Sequence, residues 1–144
     1  MWLILGGNGQ LGKCLTDAFK SQHIDYVSIG RERCDITSGD SVNQIISDLH
    51  PAVVINAAAW TAVDAAESDP HGAMDTNSTG AMNVARACAA EGTTLVHVST
   101  DYVFGAQADT PIPENAPRNP TSVYGRSKAE GEARVTGLHP NHSY

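Results

Sequence analysis

The chain has few cysteines, no run of basic residues, no cluster of metal-type ligands and no long apolar span. Its three cysteines, Cys14, Cys34 and Cys88, are odd in number and lack metal-ligand spacing, so reduced thiols in a cytosolic protein are the expected state. Six histidines are scattered without an i,i+4 pair, and no metal site is expected. Lysine and arginine together number 9 against 16 acidic residues, a formal net charge of −7. That balance argues against a general nucleic-acid or membrane-surface binder, so any anionic ligand must be held by local groups. No charged-then-apolar leader and no membrane-length apolar run opens the chain, and a soluble, cytoplasmic product is expected. Internal repeats and low-complexity linkers are also absent.

What is present begins at the first residue. Met1-Trp2-Leu3-Ile4-Leu5 is an apolar run that leads directly into Gly6-Gly7-Asn8-Gly9-Gln10-Leu11-Gly12, which reads as a buried parallel strand followed by a tight turn. Apolar or small residues at Leu11, Cys14, Leu15, Ala18 and Phe19 make Lys13 to Ser21 a helix. Strand, glycine turn and helix follow in the order a dinucleotide site requires. Glycines serve the turn, the close approach of backbone to pyrophosphate and the packing of helix on strand, and the helix amino terminus offers N–H groups and a positive dipole end to phosphate. Two spacings coexist: Gly7, Gly9 and Gly12 spell G-x-G-x-x-G, while Gly6, Gly9 and Gly12 spell G-x-x-G-x-x-G.

With 144 residues, 41% of them hydrophobic, the chain can bury one sizeable core and has the length of one domain. Strand and helix alternate along it. Asp25 to Ile29 predicts a strand, Ser41 to Leu49 a helix with Val42, Ile45, Ile46 and Leu49 at helical spacing, and Ala52 to Asn56 a third strand. Ala73 to Glu91 predicts a longer helix that Gly92 stops, and Thr94 to Val98 a fourth strand. Pro111, Pro113, Pro117 and Pro120 make the stretch from Ser99 to Pro120 an irregular excursion over the sheet's carboxyl edge. Thr121 then opens a last helix. The alternation implies a Rossmann-type, doubly wound parallel sheet spanning residues 1–144, with ligands at the carboxyl ends of its strands.

That last helix carries Tyr124-Gly125-Arg126-Ser127-Lys128, in which tyrosine and lysine four residues apart share one face. A phenol has a pKa of about 10, so a tyrosine that exchanges protons near neutrality needs a neighbour to stabilise its phenolate, and an ammonium does this. Alone, the spacing is equally that of an ordinary amphipathic helix with an exposed lysine. Downstream of a nucleotide turn it points to chemistry.

Taken together, the residues resemble the extended short-chain dehydrogenase/reductase superfamily and, within it, the family of dTDP-4-dehydrorhamnose reductases. The resemblance covers nearly the whole chain and rests on four stretches: residues 6–12, the run from Val54 to Glu67 (Val-Ile-Asn-Ala-Ala-Ala-Trp-Thr-Ala-Val-Asp-Ala-Ala-Glu), Ser99-Thr100-Asp101-Tyr102-Val103-Phe104, and Val123 to Lys128. The first and last belong to the superfamily at large, whereas the middle two are specific to the reductases. The resemblance implies hydride transfer from a nicotinamide cofactor to a nucleotide-sugar ketone, with Thr100 as the catalytic hydroxyl, Tyr124 as proton donor and Lys128 as supporting ammonium and ribose contact. Such a reaction leaves developing negative charge on oxygen, so a hydroxyl that orients the carbonyl and an acid that quenches the alkoxide are the groups it needs. A lone threonine there is otherwise a strand-end residue. Asp101 and Tyr102 either reach substrate or cap the loop.

For the cofactor, the resemblance puts Gly6, Asn8, Gly9, Gln10, Leu11 and Gly12 around the pyrophosphate, Asp35 and Ile36 near adenine, and Ala57, Ala58 and Ala59 along the ribose and nicotinamide side, with Tyr124 and Lys128 at the reacting end. Many relatives carry an acid where Gly30 stands, and its absence beside Arg31 and Arg33 favours NADPH. Glu32, about 20 residues beyond the turn, is the type of acid that favours NADH, so NADH stays open. Some members hold magnesium through glutamates at a dimer interface, one of them early in the first helix. Cys14 stands in that region, so no metal is expected, although a homodimer is compatible with the resemblance. The family continues beyond the equivalent of Tyr144 into a carboxyl-terminal substrate domain, and the chain is expected to be an amino-terminal portion lacking it. Two other readings are a nucleotide-sugar epimerase or dehydratase with tightly held NAD, and a non-catalytic module like the regulatory subunit of methionine adenosyltransferase.

Overall fold

Four short apolar runs and the helices between them set the architecture. In a computed structural model that describes residues 1–105, 111–138 and 142–143, β1 (Trp2–Leu5), β2 (Tyr26–Ile29), β3 (Val53–Asn56) and β4 (Thr94–His97) form a sheet with a short fifth strand, β5 (His142–Ser143). The order is β2-β1-β3-β4-β5, and every pairing is parallel. Leu3 stands between Val27 and Val54, and Leu95 between Val54 and His142. The chain moves from β1 outward to β2, then returns past β1 to β3. A crevice therefore opens between the carboxyl ends of β1 and β3, the switch point of a doubly wound sheet. The expected Rossmann-type topology is present, with β5 added at an edge where no apolar run announced a strand.

Helices α1 (Gln10–Ser21), α2 (Gly39–Leu49), α3 (Val63–Ser68), α4 (Pro70–Met74), α5 (Ala81–Glu91) and α6 (Val123–Leu138) connect the strands. Right-handed crossovers put α1 on one face of the sheet and α2, α5 and α6 on the other. On that second face Leu3, Leu5, Val54 and Leu95 pack with Val42 and Ile46 of α2, Val84 and Cys88 of α5, and Val135 of α6. On the α1 side, Trp2, Phe19 and Tyr26 stack edge to face, with centroids 5.4 and 5.8 Å apart.

Helix boundaries differ from the sequence expectation for identifiable reasons. The first helix starts at Gln10 rather than Lys13 because Gly9, extended at φ −73° and ψ 170°, caps it, and Gly12 already lies inside it. Ser38 starts α2 by accepting the Ser41 N–H at 3.3 Å. The helix expected over Ala73 to Glu91 begins at Pro70, where Asp69 accepts the Gly72 N–H at 2.9 Å, and it widens into a π-turn over Asp75–Gly80. Gly92 ends α5 at φ +65°, as its composition suggested. The Ser99 to Pro120 excursion contains a 3₁₀ turn, Asp101–Phe104, capped by Thr100.

Candidate active site

The glycine turn is built by contact with the loop after β3. Gly6 lies at φ +80°, and a Cβ there would sit 2.6 Å from Ala58 N and 2.7 Å from its Cα; only glycine meets both conditions. Gly12 performs the packing role, since a Cβ on it would lie 2.3 Å from the Gly6 carbonyl oxygen. Among the described residues no side-chain hydrogen bond caps the amino terminus of α1, which leaves its first N–H groups available to an anion.

Two clefts of about 260 and 460 Å3 run along the carboxyl edge of the sheet, and Gly9, Ala57 and Ala59 line both. They form one groove. Its first half is lined by Gly6, Asn8, Gly30, Arg31, Cys34, Asp35, Ile36 and Ala58, its second by Gln10, Leu11, Cys14, Val98, Ser99, Tyr124 and Lys128. The groove therefore gathers the cofactor residues that the sequence suggested except Gly12, which is buried beneath the turn, and Glu32 and Arg33, which do not line it. The alanine floor is held from below: Asn56 accepts the Ala58 N–H at 3.2 Å, and its amide lies 3.2 Å from Nδ1 of the buried His97.

At the end of the groove that holds Arg31 and Asp35 the charges are already engaged. Arg31, 79% exposed, pairs with Asp35 at 2.9 Å. Partial burial works to raise the Asp35 carboxyl, but bonds from the Thr37 N–H at 3.0 Å and hydroxyl at 2.8 Å, with Arg31 beside it, leave it below the ordinary carboxylate range. Glu32 turns back to accept the Asn8 side-chain amide at 3.1 Å. A Cβ on Gly30 would fall 2.2 Å from the Asn8 amide nitrogen and 2.4 Å from that Glu32 carboxylate, so the missing acid at Gly30 and the position of Glu32 are one arrangement. Burial pushes the Cys34 thiol up, and it serves as an uncharged wall.

At the other end, Tyr124 is 8% and Lys128 2% exposed. Both line the groove from one side of α6. Lys128 Nζ donates to the Val98 carbonyl at 2.5 Å. Burial pushes its ammonium down to about 8, and the charge of Glu132 works against that fall, so it remains largely protonated at neutral pH. Thr100 is placed differently. It does not line the groove; its hydroxyl donates to Asp101 at 3.2 Å and accepts the Tyr102 N–H at 3.3 Å. Asp101 and Tyr102 are exposed, and the Tyr102 ring meets Tyr124 edge-on at 5.5 Å.

Two groups escaped sequence reasoning. Asn77, buried in the π-turn, accepts the Trp60 N–H at 2.8 Å, donates to the Trp60 carbonyl at 3.0 Å and to Ser127 Oγ at 2.9 Å, while Ser127 donates to the Tyr124 carbonyl at 2.7 Å. It thereby joins the loop after β3 to the helix of Tyr124. Its trace in the sequence is the polar stretch Asp75 to Thr79 inside a helical run, residues that compete for backbone hydrogen bonds. The second is Glu132, whose carboxylate accepts from the Ser99 hydroxyl and pairs with Arg118 at 3.1 Å. It stands four residues after Lys128 and so on the same face.

Among the described residues no group of His, Cys, Asp and Glu could hold a metal ion, and no helix is long and apolar enough to cross a membrane. The profile of the RmlD substrate binding domain family matches residues 1–143. The chain is 42% identical over 143 residues to a dTDP-4-dehydrorhamnose reductase of Streptomyces griseus, covering 99% of this chain and 47% of that protein. It is 39% identical over 140 residues to a protein of the same name from Mycolicibacterium smegmatis, covering 96% and 42%. The fold superposes with a TM-score of 0.94 on a dTDP-4-dehydrorhamnose reductase of Clostridium acetobutylicum, 40% identical over 98% of this chain and 50% of the other. With a Bacillus anthracis reductase solved in complex with NADP, the TM-score is 0.91 at 38% identity, covering 98% and 50%. The chain thus spans about half the length of the curated relatives it matches, and a match along residues 1–143, together with this groove, makes it a member of the RmlD substrate binding domain family.

Proposed function

We propose that the chain is the cofactor-binding and proton-donating portion of an NADPH-dependent reductase acting on the 4-keto group of dTDP-4-dehydro-L-rhamnose. The observation that carries this reading is the single groove that joins the glycine turn and alanine floor to Tyr124 and Lys128. The residues fit a dinucleotide: an uncapped helix amino terminus for pyrophosphate, a floor of small side chains for a ligand lying flat, and glycines where backbone must come close. The cofactor supplies the hydride. Tyr124 donates the proton that quenches the alkoxide oxygen, and the Lys128 ammonium stabilises the phenolate left behind. Thr100 orients the ketone. Its one hydroxyl proton points to Asp101 and turns from there to the substrate oxygen, with Asp101 and Tyr102 as substrate contacts.

NADPH is favoured over NADH because a 2′-phosphate offers Arg31 a doubly charged partner in place of Asp35. Glu32, bonded to Asn8 beside the turn, is the observation that favours NADH. Fluorescence titration of the purified chain with each cofactor tests the choice: NADPH binds more tightly, and failure to bind either one refutes the site. Joined to the carboxyl-terminal half of the Streptomyces griseus relative, the chain oxidises NADPH with the sugar nucleotide, and Tyr124→Phe lowers turnover at least about 100-fold, the range of a lost general acid. Normal turnover in that variant assigns the proton to another group.

A further inference from the structure

Glu132 lies on α6 one turn beyond Lys128 and is buried. One carboxylate oxygen accepts from Ser99 Oγ, and the other pairs with Arg118, whose guanidinium also donates to the Ala129 carbonyl at 3.3 Å. Ser99 stands between Val98, whose carbonyl receives Lys128, and Thr100. A buried carboxylate is costly to place unless its oxygens are bonded, and here both are. We propose that Glu132 is a positioning residue of the reductase site, tying the Val98–Thr100 segment to the helix that carries Tyr124 and Lys128, an inference that rests on the function proposed above.

The same carboxylate faces the buried ammonium along the helix. Burial disfavours the charged form of Lys128, and the field of Glu132 opposes that. Of the other ionisable groups on the elements around α6, Asp64 of α3 and Arg86 of α5 are exposed, Glu91 pairs with His50, and the Cys88 thiol is pushed up to about 12 by burial. Glu67 of α3 accepts the Val123 N–H at 2.7 Å, Asp75 of the π-turn pairs with His71 at 3.1 Å, and Asp101 holds the Thr100 hydroxyl. Tyr102 stacks on Tyr124, and Cys14 of α1 lies across the groove. Arg118 is the cation that tempers the Glu132 field.

The chain has three lysines, Lys13, Lys20 and Lys128, so each gives a separate ε-carbon signal in a 13C-lysine-labelled sample titrated from about pH 6 to 11, a span that brackets the lysine range. The Lys128 signal is assigned by its disappearance in Lys128→Met. Glu132→Gln keeps the size and removes the charge, and it lowers the Lys128 midpoint by about half a pH unit or more, the sense expected when an opposite charge is withdrawn. Arg118→Ala frees the carboxylate from its cation and raises that midpoint. Arg118 is on a surface loop with its side chain 38% exposed, so this variant alone decides the matter if Glu132→Gln does not fold. Any other pattern, two unmoved midpoints or two movements of one sign, overturns the proposal. The titration uses no cofactor, so failure of the wild-type chain to bind NADPH would refute the proposed function and leave the titration result standing.

Discussion

Lys128→Met raises stability at neutral pH, and the gain shrinks as pH rises. The native ammonium is held at about 8 against an ordinary 10.5. At about 1.4 kcal/mol for each pH unit, keeping it charged and buried costs on the order of 3 kcal/mol. The folded value lies below the unfolded one, so below pH 8 both states hold the proton and the whole cost is present. Between pH 8 and 10.5 the native state releases its proton first, and wild-type stability climbs. Linkage puts the relief between pH 7 and 9 at about 1 kcal/mol. The Cys88 thiol, pushed up to about 12 by burial, acts in the opposite sense above about pH 9, where the unfolded thiol ionises first. Both proteins share Cys88, so subtracting one curve from the other removes it. Methionine also forfeits the bond to the Val98 carbonyl, which offsets the difference by a constant and does not alter its slope. Urea denaturation of wild type and Lys128→Met at pH 7, 8 and 9 measures the difference directly. Parallel stability profiles for the two proteins would show that Lys128 is not carried as a buried charge, and the reading of the site would lose its electrostatic basis.

Two further substitutions probe the backbone contacts. Gly9 has no positive φ, and a Cβ on it would meet the Gly6 carbonyl at 3.2 Å, a tight contact that needs that carbonyl to give by a few tenths of an ångström; Gly9→Val fills the groove and weakens NADPH binding at least about 100-fold, or 2.7 kcal/mol, and a folded variant with wild-type affinity would remove pyrophosphate from the turn. Gly131→Ala puts a methyl 2.2 Å from the Asn77 carbonyl oxygen in the π-turn and destabilises by about 1–3 kcal/mol as overpacking does; an unchanged urea midpoint would mean that α6 does not approach the π-turn that closely.

Most of the fold is legible because it is written in local terms. Leu3 to Leu5, Val54 and Leu95 are buried on both sides in a parallel sheet, so their runs are continuous and bounded by glycine or polar turns. Gly92 marks a helix end by well-understood backbone chemistry. What escaped was decided by backbone geometry or at a distance. The first helix begins three residues early because the extended Gly9 caps it, a backbone turn that periodicity does not express. The π-turn over Asp75–Gly80 accompanies Asn77 reaching the backbone of Trp60, and β5 exists because β4 offers an open edge, not because His142 and Ser143 favour strands.

The site divides along the same line. Glycine turn, alanine floor, Tyr124 and Lys128 were readable because each sits in a motif whose spacing matches its chemistry, and the structure lines one groove with them. Thr100 shows the limit of that inference. Its motif puts a hydroxyl at the strand end, but the turn it caps directs its one proton to Asp101. The hydrogen-bond partners of Glu132 and Asn77 answer to no spacing rule, because Ser99, Arg118 and Trp60 lie 33, 14 and 17 residues away in the chain; only the four-residue step from Lys128 to Glu132 is local. A sequence can thus name residues that line one groove, since each lies at or near the carboxyl end of a strand or in the motif that follows it. The partners of buried polar groups are chosen by where a crossover brings two segments together, and for a buried ammonium a nearby carboxylate offsets part of the cost of burial.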